Sequence, residues 1–87
     1  MAHHEMQVQT AGDPSRAAEI VRELVDAAPE VEAREGASGS YELTVTQPDM
    51  TWDEARIWMI ERATEIDHEA PVHLDLLRVG RVSEAGG

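Results

Sequence analysis

The chain has no cysteine, no phenylalanine and no lysine. Without cysteine there is no disulfide, no thiolate nucleophile and no cysteine-ligated zinc or iron–sulfur site. Without phenylalanine, and with Trp52, Trp58 and Tyr41 as the aromatic side chains, the core has to be built from Leu, Val, Ile, Met and Ala. Without lysine there is no phosphate-binding GxxxxGK[ST] loop. The remaining cations are arginines, and these 7 face 18 Asp and Glu, for a formal charge of -11 at pH 7. Such a surface repels a nucleic-acid backbone or an anionic membrane and attracts a basic protein. No direct nucleic-acid or membrane binding is therefore expected. No apolar run approaches the length of a membrane span. Met1 to Glu5 lack the basic-then-apolar pattern of a signal peptide, so the expected location is cytoplasmic.

What is present is enough for one small domain. The 87 residues are 41% hydrophobic, which supports a modest core. Residues 1–5 read as a flexible leader, 6–82 as a single α+β domain and 83–87 as a flexible tail. Met6, Val8 and Thr10 alternate with Gln7 and Gln9, the period of a strand. Gly12 breaks it, and Asp13-Pro14 is a strong helix start, with a capping side chain before a proline at the first helical position. The spacing of Ala17, Ile20, Val21, Leu24 and Ala28 predicts an amphipathic helix to about Ala28. Pro29 stops it.

A weakly apolar second strand is expected over 31–35, with Val31 and Ala33 inward, as suits an edge. The glycines of 36–40 form a connector. The clearest alternation follows, with Tyr41, Leu43 and Val45 on one side of a strand that ends at Pro48. A second helix is expected from Trp52 to about His68. Thr51 and Glu54 form a capping box, and Asp53 and Glu54 suit the positive end of the helix dipole. Trp52, Ala55, Met59, Ala63 and Ile66 form its core stripe. After Pro71, residues 72–79 read as a last strand, with His73, Asp75 and Leu77 on the outer side. The element order predicts an α+β, ferredoxin-like split βαββαβ domain: a four-stranded antiparallel sheet with two helices on one face. The first and last strands are expected to pair at or near its middle.

The second helix carries more apolar surface than one core stripe needs. On a helical wheel Ile57 lies nearly opposite Ala55, Met59 and Ile66, while Trp58 and Ile60 take the two flanks. Large apolar and aromatic side chains on an outward helix surface suit protein docking. Ile57, Trp58 and Ile60, with Glu61 and Glu65 at the polar rim, are the candidate interface for self-association or for another protein, in particular a basic one. The surrounding carboxylates would speed the approach of a basic partner.

No catalytic, cofactor-binding or metal site is expected. His3 and His4 have no third ligand fixed nearby. Asp67, His68, Glu69, His73 and Asp75 are close in sequence but match no zinc pattern such as HExxH. Ser38 and Ser40 lie outside any GxSxG context. The composition points to a noncatalytic interaction or regulatory module. An acidic inhibitor that mimics nucleic acid and a dimeric small-molecule sensor are the alternatives.

Overall fold

The computed structural model describes residues 3–36 and 39–81, the side chains of 76–81 excepted. The order is β1 (His3–Thr10), α1 (Pro14–Ala27), β2 (Val31–Glu35), β3 (Ser40–Thr46), α2 (Trp52–Ile66), α3 (Ala70–His73) and β4 (Leu74–Arg81). The strands form one sheet in the order β2-β3-β1-β4, and every neighbouring pair is antiparallel. Both main helices cover one face. This is the ferredoxin-like topology.

The local causes are those of the sequence. Asp13 accepts a hydrogen bond from the Ser15 N–H at 2.9 Å, and Pro14 opens α1. The capping box closes in both directions: Glu54 N–H donates to Thr51 Oγ1 at 3.2 Å, and Thr51 N–H donates to Glu54 Oε1 at 2.8 Å. Two orphan donors of α2 are thereby satisfied. Met6 and Val8 of β1, Leu43 and Val45 of β3, Ile20 and Leu24 of α1, and Met59 of α2 fill the layer between sheet and helices. Trp52 packs partly buried against this core and donates its indole N–H to the Glu5 carbonyl at 3.0 Å, fastening the start of α2 to β1.

Four expectations need correction. First, β1 begins at His3, so residues 3–5 of the expected leader pair with β3. His3 Nδ1 lies 3.2 Å from Thr46 Oγ1, and His4 Nε2 lies 3.1 Å from the Gln47 carbonyl. The tail expected over 83–87 lies outside the described residues. Second, β4 pairs with β1 but stands at the sheet edge; the central pair is β1 and β3. Third, β4 starts at Leu74. Residues 70–73 form a helical turn with Pro71 in its first positions, where a fixed φ and a missing N–H are favourable. His73 is therefore not on a strand face with Asp75, and Val72 is exposed. Fourth, Ala33 is exposed although Val31 beside it is buried, because α1 does not reach over this part of the edge strand.

Candidate functional site

On α2 the sequence pattern has been translated into surface. Ala55, Met59 and Ala63 are fully buried. Ile57 is 49% exposed, against 0% for Met59 two residues further on. Trp58 and Ile60 are half-buried and pack against the core from the two flanks. The three candidate apolar residues therefore stand side by side but contribute differently: Ile57 is offered to the outside, while Trp58 and Ile60 seal the core and present their outer edges. Glu61 and Glu65 are exposed.

The rim is partly neutralised from within. The Arg62 guanidinium lies 6.0 Å from the Trp58 ring centre, and its Nη2 donates to Glu65 Oε2 at 2.7 Å. Cation–π attraction and the ion pair hold Trp58, Arg62 and Glu65 as one row along the helix. Among the described residues Arg62 Nε is buried without a hydrogen-bond partner, a cost this row carries. Beside this row an open depression of about 540 Å³ is lined by Ile60, Glu61, Thr64 and His68 together with Arg62 and Glu65. It is open and does not enclose a small molecule as a ligand cavity would.

The cluster of acidic and histidine residues after α2 is dispersed in the fold. Asp67 Oδ2 accepts from Arg16 Nε at 2.8 Å and Nη2 at 2.6 Å, and its Oδ1 accepts from the Glu69 N–H at 2.8 Å. It ties α1 to the turn after α2. Nothing around Asp67 in the chain points to Arg16 as its partner, since 51 residues separate them. His73 faces the turn between β1 and α1: its carbonyl accepts from the Ala11 and Gly12 N–H groups at 2.8 and 3.3 Å, and its Nδ1 accepts from the Asp13 N–H at 3.2 Å. Among the described residues no group of three or more His, Asp or Glu side chains could hold a metal ion. No described helix is long and apolar enough to cross a membrane.

The Glu69 N–H, and after it the Arg16 guanidinium, hold the Asp67 carboxyl below the usual aspartate range. A folded-state pKa below the unfolded one gives stability that is present above the unfolded value, about 3.9, and lost as pH falls through the folded one. The urea midpoint should thus decline as pH is lowered from about 4, and Asp67→Asn should flatten that decline. An equally steep acid limb in the variant would assign the sensitivity to other carboxylates.

A second surface feature escaped sequence reading. Between α1 and the β2 edge lies a groove of about 290 Å³, floored by Val21, Val25, Ala33 and Tyr41. Its one sequence signal is the weak apolarity of 31–35, where Ala33 stands between Glu32 and Arg34.

In comparisons with protein-family models, curated proteins and solved structures, the chain matched none of them. The fold and surface define it as an acidic ferredoxin-like α+β domain with an apolar, acid-rimmed outer helix.

Proposed function

We propose that the protein is a noncatalytic interaction module of the cytoplasm that docks the outward surface of α2 onto a basic protein. The supporting observation is Ile57, nearly half exposed at the centre of that surface, between the half-buried Trp58 and Ile60. An exposed large aliphatic residue alone is ordinary. Its place between two further apolar residues, inside a ring containing Glu61 and Glu65, is what favours docking. The apolar centre would supply affinity on burial, and the carboxylates would supply steering and selectivity.

Charge selects the partner class. Two α2 surfaces pressed together would set these carboxylates against one another, and a basic partner removes the repulsion. The test is titration with fluorescent amphipathic peptides carrying Leu at helical spacing and Arg between. Binding should weaken at least ~10-fold in Ile57→Glu, the size expected for a central apolar contact, while circular dichroism stays unchanged. Loss of binding in high salt but not in Ile57→Ala would replace this reading with a carboxylate-only mimic of nucleic acid. Absence of binding by the intact protein would refute docking of this class.

A further inference from the structure

Strand β2 is an edge: among the described residues it pairs with β3 alone. The direction of its backbone groups can be read from its ends. The Thr46 N–H donates to the Glu30 carbonyl at 2.9 Å, and the Gly36 N–H donates to the Ser40 carbonyl at 2.9 Å. Alternation along an antiparallel strand then turns Glu32 and Arg34 toward β3, and turns the N–H and C=O groups of Ala33 and Glu35 outward. The Val31 carbonyl also points outward, while the Val31 N–H is taken by the Ala28 carbonyl at 3.0 Å.

The geometry points to a second copy of this chain as the occupant of that edge, paired antiparallel through β2 about a two-fold axis at Ala33. In that register Ala33 exchanges both backbone bonds with its counterpart. Each Glu35 N–H meets the Val31 carbonyl of the other copy. Glu32 falls opposite Arg34 of the other copy, at the positions where cross-strand side chains come closest. Both lie on the sheet face away from the helices. Arg34 is 75% exposed at its side chain even while it pairs with Glu42, so it has donors left for a second carboxylate. Glu32 sits near Glu5 and Glu42 around the same arginine, and among the described residues it forms no ion pair of its own. The other copy's arginine supplies one.

The register is specific. Shifting the axis by one residue sets Arg34 against Arg34, or Glu32 against Glu32. Charges on an edge strand ordinarily discourage pairing, and a single sign would do that best. The Glu-Ala-Arg order is instead self-complementary. The small Ala33 leaves the axis sterically open, and the exposed groove beside it, floored by Val21, Val25 and Tyr41, would be covered by the second copy. This surface is separate from α2, so the two proposals stand or fall independently.

The experiment is sedimentation equilibrium of the full chain over a wide concentration range at low and moderate salt. The expected result is a mass rising from 9.6 kDa toward twice that value. Arg34→Glu and Glu32→Arg should each weaken association at least ~10-fold, by placing like charges directly opposite one another. The double variant Glu32→Arg with Arg34→Glu, which restores opposite signs in the same register, should recover it. Circular dichroism shows whether each variant is folded. A monomer at every concentration would overturn the proposal. So would a dimer indifferent to these substitutions, or one lost in Ile57→Glu, because either places the contact elsewhere.

Discussion

Met59→Ala is expected to cost ~2–5 kcal/mol, the usual range for truncating a fully buried large side chain. Met59 is completely inaccessible and lies between α2 and the sheet core. A small domain has a total stability of only ~5–15 kcal/mol, so the urea midpoint should fall by a large fraction. Ile57→Ala, two residues earlier on the same helix, should change stability by no more than ~0.5 kcal/mol, as for an ordinary surface site. The pair is informative because the helix is shared and the side chains are of comparable bulk. Urea titrations followed by circular dichroism measure both. Equal losses at the two positions would mean that α2 faces the core differently and would remove Ile57 from any docking surface.

Gly12→Ala should be the most damaging alanine substitution among the described turn glycines, at ~1–3 kcal/mol, the cost of forcing atoms into a packed site. A Cβ at position 12 would stand 2.8 Å from the Val72 carbonyl oxygen and 2.9 Å from His73 Nδ1. One of these is backbone and cannot swing aside. The other is already accepting the Asp13 N–H. Relief would require the turn to move away from α3, which would break the bonds from Ala11 and Gly12 to the His73 carbonyl. Thermal unfolding of the variant beside wild type is the measurement, and an unchanged midpoint would show that the turn is free to shift. The requirement at Gly12 is for space. At Gly39, by contrast, the backbone has φ 74°, the left-handed region that favours glycine.

The parts of the fold that could be read from sequence were those set by neighbouring residues. Asp13-Pro14 and the Thr51/Glu54 box are chemical signals that act within one turn, and both helices begin where they say. The alternation of Leu43 and Val45 reports directly which side of a strand is buried. The parts that could not be read depend on distant partners. Nothing near His3 or His4 announces that Thr46 and the Gln47 carbonyl lie beside them. Pro71 reads as a stop before a strand, yet proline suits the start of a helical turn equally well, and the choice is settled by Ala70 becoming buried and by His73 reaching the turn at 11–13. The helical wheel places Ile57 farthest from the core stripe, and it is the most exposed of Ile57, Trp58 and Ile60. The split between Ile57 as the offered residue and Trp58 and Ile60 as seals depends on the core they rest against, which a helical wheel does not contain. The β2 edge was legible as an edge from its weak apolarity. Its outward backbone groups, and hence the pairing of Glu32 with Arg34 across an axis, required the register with β3.

The two margins of the sheet are unequal. β2 is paired with β3 in unbroken register, whereas the ladder between β1 and β4 slips between Gln7 and Gln9: Gln7 lies opposite Gly80, and Gln9 opposite Asp75. An irregularity of this kind bends a strand and spoils it as a template for further strands. A chain with two equally regular margins can add copies head to tail without limit and grow into a fibre. Here one margin keeps regular register with its neighbour, and the other does not. A pairing that begins at β2, as proposed above, would find no regular margin on which to continue and would close as a pair.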